Sequence, residues 1–188
     1  MRSSRLSERA NASTTRARAS SFSAPTSCAR CAVAAKRSTC GIARRPTRVL
    51  ESEGATAFDE PAAAARGAAR IHLTLSDDSA VDDVLERARP GFAPDVVIVD
   101  HTTTSPSGTA ARAQRWSDRG VAFQHAPVFM APQNALESTG VMLASGDRAR
   151  FDALQPELGK MTGKLVYVGP RPERAAGFKL LAICSSCS

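Results

Sequence analysis

The stretch DVVIVDHTTTSPSGTAARAQRWSDRGVAFQHAPV, residues 95–128, decides the fold. Its first six residues are a short run rich in β-branched side chains, the pattern of a strand buried on both faces. Polar residues follow, then Pro106, whose fixed φ and missing N–H suit the first turn of a helix. The helix predicted over 105–120 closes at Gly120, and a second apolar run begins at Val121. A strand, a crossover helix and a second strand make the unit that places two strands parallel in one sheet.

The same alternation continues outward on both sides. Upstream, RIHLTL (70–75) is a predicted strand and SDDSAVDDVLERARPG (76–91) a helix, with acids in its first turn and Arg87 and Arg89 in its last. Two short helices are expected before it, in PTRVLESEGA around Val49 and Leu50 and in DEPAAAARGA around Pro61. Downstream, VMLASGD (141–147) and KLVYVGP (164–170) are predicted strands flanking a helix over 147–161. A final apolar helix starts near Ala175 and carries Lys179. Helices of this length between apolar strands predict an α/β fold with a mainly parallel sheet. Ligands in such sheets bind beyond the carboxyl ends of the strands. That rule points to SDDS (76–79), DHTTTSPSG (100–108) and APVFMAPQNA (126–135).

Composition divides the chain. The net charge of +7 is local: residues 1–48 hold 11 Lys and Arg against one acid, Glu8. The remainder holds 14 bases against 17 acids and is mildly acidic. Residues 1–41 are rich in Arg and Ser, lack sustained periodicity, and are expected to be disordered. The same composition suits an organellar transit peptide or a basic nucleic-acid arm, though nucleic acid is not an expected partner without interleaved aromatics. No window approaches the roughly 18 apolar residues of a membrane span, so no membrane partner is expected. The five cysteines, at 28, 31, 40, 184 and 187, all avoid residues 41–183, so no disulfide framework supports the core. Cys28, Cys31, Cys184 and Cys187 offer a four-thiolate zinc site as an alternative.

Several motifs, in order, carry a resemblance. They are Asp100-His101-Thr102-Thr103-Thr104-Ser105-Pro106, Ala126-Pro127-Val128, Thr139-Gly140-Val141-Met142, Ser145-Gly146-Asp147 and Val166-Tyr167-Val168-Gly169. From about Arg44 to Lys179 the chain resembles the cofactor-binding domain of the β-hydroxyacid dehydrogenases, which include 3-hydroxyisobutyrate and 6-phosphogluconate dehydrogenases. The resemblance implies a Rossmann-like domain over 42–180, incomplete at both ends, with an off-pattern tail over 181–188. It implies NADP or NAD as cofactor and hydride transfer to or from a small hydroxyacid- or imine-type substrate. It matches Thr103 to a cofactor contact, Thr102 to a substrate contact, and Leu75 and Ser76 to residues lining the cofactor cleft. Arg44 matches an arginine that pairs with a ribose 2′-phosphate, which favours NADP. Lys179 matches the catalytic lysine, which moves the proton at the substrate oxygen or nitrogen. His101 and His125 could act as bases or metal ligands, but the family needs no metal. The family also favours the cytoplasm, and oligomers form among its full-length members but are not expected of this chain.

The chain departs from the family in three places. No G-x-G-x-x-G turn precedes Arg44, and Gly41 is the one glycine in the first 53 residues. Phe129-Met130-Ala131 stands where the family has S-G-G, which suggests another substrate. Ile183 stands where an asparagine would follow the lysine by one turn. These losses lead to the expectation of a domain inactive by itself, with a non-catalytic interaction module as the alternative. Flanks of this kind would also arise from a shifted reading frame in a GC-rich gene. Sequencing the locus tests that, and the idea ends if no other frame encodes the glycine turn.

Overall fold

The computed structural model describes residues 33–34, 38–41 and 56–185. Nine strands and six α-helices lie among them. The strands are β1 Val33–Ala34, β2 Ser38–Gly41, β3 Thr56–Phe58, β4 Arg70–Leu73, β5 Val97–Asp100, β6 Ala122–His125, β7 Val128–Phe129, β8 Val141–Ala144 and β9 Lys164–Tyr167. The helices are α1 Pro61–Ala65, α2 Asp78–Ala88, α3 Pro106–Asp118, α4 Pro132–Glu137, α5 Arg148–Leu158 and α6 Arg174–Ser185.

Strands β4, β5 and β6 pair in parallel, with Leu73, Asp100 and His125 in register at their carboxyl ends. Strand β2 pairs parallel with β3, and β1 pairs antiparallel with β2 while lying against β4. The strands therefore lie in the order β3-β2-β1-β4-β5-β6, the order of a doubly wound dinucleotide-binding sheet, with two departures: β1 is antiparallel to β2, and it lies beside β4 without pairing to it. A bridge from His125 to Ser145 continues it to β8, which pairs parallel with β9. The fold is α/β and Rossmann-like, as its sequence pattern predicts.

Burial explains the apolar run of β5. Ile98 faces a cluster with Ile71, Leu73, Val81, Leu85 and Trp116, beneath α2 and α3. Val99, the next residue, faces the opposite cluster of Met142, Ala144, Phe151, Leu154 and Leu158 beneath α5. Each fully buried side chain of this size contributes about 1.5–3 kcal/mol. A polar residue at 98 or 99 would therefore weaken one layer or the other.

Three segments differ from the sequence reading, and one expected helix is not described. The head boundary at 41 falls after β1 and β2, so two strands lie inside the segment expected to be disordered; the rest of that segment lies outside the described residues. The helix expected around Val49 also lies outside them. VAFQHAPV forms two strands because Pro127, with no N–H to give the ladder, interrupts it; β7 then pairs antiparallel with β8. APQNALE, to which the sequence reading assigns no element, contains α4, with Pro132 in its first turn and Ser138 at its end in the left-handed conformation, φ 54°.

Candidate active site

The site is built at the carboxyl ends of β4 and β5. Asp100 ends β5 and turns the chain, its Oδ1 accepting from the N–H of Thr102 at 2.9 Å. Thr102, 1% exposed, in turn accepts from the N–H of Leu75 through Oγ1 at 3.0 Å. The loops after β4 and β5 are thereby tied to each other. Asp77 caps α2 by accepting from Ala80 N, and Asp78 accepts from Ser105 N at 2.8 Å. Gly108 makes that last contact feasible, since a Cβ there would sit 2.2 Å from Asp78 Oδ1. Thr103 and Ser76 stand exposed on the rim, and Ser76 donates to Asp77 Oδ2.

Thr102→Val should destabilise the fold by about 1–2 kcal/mol, because Leu75 N–H would lose its acceptor, while Thr102→Ser should retain most of the stability. Urea unfolding reads this directly. A neutral valine variant would show that the two loops are held by something else.

Lys179 extends from α6 to β7. That helix is anchored by Ser145, whose hydroxyl donates to Pro172 O at 2.7 Å and accepts from Ala175 N at 3.0 Å. The second bond satisfies one of the open N–H groups of the first helical turn. One turn later Lys179 Nζ donates to Val128 O at 2.7 Å and lies 3.8 Å from the centre of the Phe129 ring. Only 9% of Lys179 is exposed, and this burial lowers its pKa from the ordinary lysine value. No carboxylate contributes to that shift.

A chain of contacts links the lysine strand to the loop after β5. His101 Nδ1 lies 2.7 Å from Ala126 O, which can only accept, so Nδ1 carries the proton. In the neutral ring Nε2 is then an acceptor, and it takes the Nδ1–H of His72 at 2.9 Å. The two rings stack with centres 5.3 Å apart. Burial lowers the His101 pKa, and burial with the nearby His101 and Arg70 brings His72 to about 3. His101 therefore works as a neutral strut beside Thr102. Neither histidine has the surroundings of a base in use, and no group of three or more metal-ligating side chains occurs among the described residues.

Behind Thr102 lies a buried polar cluster. Arg112 of α3 donates through Nε to Asp82 at 2.7 Å and through Nη2 to Asp78 Oδ1 at 3.0 Å. Its Nη1 lies 3.7 Å from Asp100 Oδ2. His125 Nδ1 lies 3.8 Å from the same oxygen, but burial and the Arg112 charge hold its pKa down to about 3, so this is not an ion pair.

The structure thus brings Leu75 and Thr102 into contact, leaves Ser76 and Thr103 exposed beside them, and sets the Lys179 ammonium of α6 against β7. Arg44, Cys28, Cys31 and Cys187 lie outside the described residues, and Cys184 is exposed. The sequence reading did not single out Arg112, His72 as the partner of His101, or Phe129 as a contact of Lys179. These pairings span from 12 residues, for Arg112 and Asp100, to 50, for Phe129 and Lys179, beyond the reach of periodicity.

Comparisons with known proteins bear on the family and the fold. Residues 26–169 match the family described as the NAD binding domain of 6-phosphogluconate dehydrogenase, a match that begins within the head. Over 111 residues the chain is 34% identical to the NADH-dependent oxidoreductase ucdB of Aspergillus ustus, covering 59% of this chain and 36% of that protein. An imine reductase of Streptomyces aurantiacus superposes with a TM-score of 0.69 at 26% identity, over 77% of this chain and 52% of that one. The 3-hydroxyisobutyrate dehydrogenase of Mycobacterium tuberculosis shares the fold, with a TM-score of 0.68 at 18% identity over 72% and 46% of the two chains. The chain spans about half the length of these solved structures, and less of the curated relative. With the family match covering most of its length, the chain belongs to the β-hydroxyacid dehydrogenase family, as a nicotinamide-nucleotide-binding domain of the 6-phosphogluconate dehydrogenase type.

Proposed function

We propose that the chain serves hydride transfer between NADPH or NADH and a small hydroxyacid- or imine-type substrate. The observation that carries this reading is Lys179: a buried ammonium of α6, unpaired with any carboxylate among the described residues, held against the strand that follows the parallel sheet. A lysine whose pKa has been lowered by burial is suited to giving and recovering a proton. The cofactor supplies the hydride. Thr103, exposed on the rim, is the proposed contact for its nicotinamide end, with Leu75 and Ser76 along the cleft wall. Thr102, whose oxygen holds Leu75 and whose side chain also hydrogen-bonds Asp100, is the proposed substrate contact. Lys179 protonates the oxygen or nitrogen that gains the hydride, and takes that proton back in the reverse direction.

The tie between Leu75 and Thr102 supports the cofactor's fit by fixing both walls of the crevice. Because the chain spans about half the length of its relatives, turnover is expected to be slight without additional protein, and cofactor binding is the appropriate readout. Titration with NADPH and NADH, followed by nicotinamide fluorescence, is expected to give a saturable complex. The reading fails if no complex forms at millimolar cofactor while circular dichroism shows an intact α/β fold.

Arg44 favours NADPH, since a guanidinium matches a 2′-phosphate, although the name of the Aspergillus relative specifies NADH. Arg44→Ala is expected to weaken NADPH binding about tenfold and to leave NADH binding unchanged. Equal losses for the two cofactors would remove the phosphate assignment.

A further inference from the structure

We infer that Phe129 is a positioning residue for Lys179: the face of its ring holds the ammonium in one place. This role rests on the preceding reading of Lys179 as the proton carrier. The Nζ lies 3.8 Å from the ring centre, within the roughly 6 Å over which an aromatic face attracts a cation. Its bond to Val128 O comes from the residue just before Phe129, so one short strand supplies both contacts. Two directions are thereby fixed, and the third N–H of the ammonium is left for a ligand.

The strand itself has little freedom. Phe129 is in register with Val141, and Val128 with Met142. Gly140, at φ +88°, brings its backbone so close that a Cβ there would stand 2.7 Å from Phe129 O. The ring is therefore carried on backbone that is paired on one side and packed against a glycine turn. A flexible loop could not hold a lysine head to one position. No other described group competes for the ammonium as an ion-pair partner, which leaves the ring and the carbonyl to set its state.

The two influences on the charge oppose each other. Burial favours the neutral amine. The ring quadrupole favours the ammonium and is worth more as water is excluded. Removing the ring without admitting water should therefore lower the pKa further. Opening the site to water should raise it toward the ordinary lysine value. The sign of the change separates a positioning role from mere packing.

The test is pH titration of the Lys179 Cε and Nζ resonances in the full chain labelled with 13C,15N-lysine, assigned with Lys179→Arg. Phe129→Leu keeps apolar bulk and is expected to raise the acid dissociation constant of Lys179 about three- to tenfold. Phe129→Tyr keeps the ring and is expected to stay within about twofold of the parent. An unchanged constant in Phe129→Leu, or one shifted toward ordinary lysine, overturns the inference. Should the leucine variant fail to fold, the parent chain still decides. Its Lys179 Hε protons must show an upfield ring-current shift that disappears in urea, and random-coil positions in the folded chain overturn the inference. Titrating NADH in the same samples separates the two readings. The expected pKa change without NADH binding keeps the pairing and ends the dehydrogenase reading. NADH binding with an unmoved pKa does the reverse.

Discussion

Arg112→Ala is expected to cost about 3–5 kcal/mol of folding stability, enough to approach the whole stability of a small domain. Arg112 is fully buried, and so is the Asp100 carboxylate 3.7 Å away. Its bonds to Asp78 and Asp82 go to carboxylates about a third exposed, where solvent screens the attraction, so each contributes less. The large loss comes from leaving Asp100 charged in the interior without a cation. Burial already raises the Asp100 pKa to about 6, against hydrogen bonds from Thr102 that lower it. Asp100→Asn placed in the Arg112→Ala background should therefore recover at least about 1 kcal/mol. Urea unfolding at pH 7.5 reads both. If the two substitutions add without coupling, the buried charge is not what the arginine serves.

Acidification is the second large effect, and its sign follows from which state binds more protons. His72 and His125 have folded pKa values of about 3, while an unfolded histidine titrates near 6.5. Below pH 6.5 the unfolded chain takes up protons that the folded chain refuses. Stability present above 6.5 is lost as pH falls, at about 1.4 kcal/mol per pH unit for each histidine. Asp100 acts oppositely: with a folded pKa of about 6, it binds a proton in the folded state first and regains stability below that pH. His72 and His125 against Asp100 leave a net fall of roughly 1–2 kcal/mol per pH unit between about 6 and 4, and His101, whose pKa burial also lowers, adds to the fall. Lowered carboxylates at Asp77 and Asp78 add to the loss at the acid end. Urea midpoints at pH 7.5, 6 and 5 should fall in that order, and a flat series would contradict the assignment of neutral buried histidines.

His125 isolates one contribution. Both its ring nitrogens are buried without a hydrogen-bond partner. His125→Leu should be neutral or stabilising at pH 7.5, since an unsatisfied polar group is replaced by an apolar one of similar size. It should also reduce the acid loss by about one histidine's share. Loss of stability at pH 7.5 would mean that the imidazole has a partner it needs.

How much of this was open to inspection in the sequence varies by element. The strands β4, β5, β8 and β9 and helices α2, α3 and α5 fall within the segments read from pattern, because buried strands and capped helices leave local signatures. Asp77, Ser105 and Asp147 are caps whose polar side chains accept from the third residue onward, and such spacing is visible along the chain. Strand β3, with three residues, and β2, with four in an Arg- and Cys-rich context, were missed because so few residues carry no period. Helix α4 was missed because Pro, Gln and Asn also favour turns.

The residue pattern alone was enough to assign a mainly parallel α/β fold, and its motifs pointed to Thr102, Thr103 and Lys179. Those features depend on local conformation and on motifs of a few residues. Only the tertiary structure decided what surrounds them. Arg112 has the look of a solvated helix charge between alanines, yet α3 turns it onto the acids of α2 and the end of β5. His72 and His101 are 29 residues apart, and Phe129 and Lys179 are 50 apart. The side chain at one position carries no record of which distant group it will meet. Desolvation, which sets the charge of every one of these residues, exists only once the chain has closed around them.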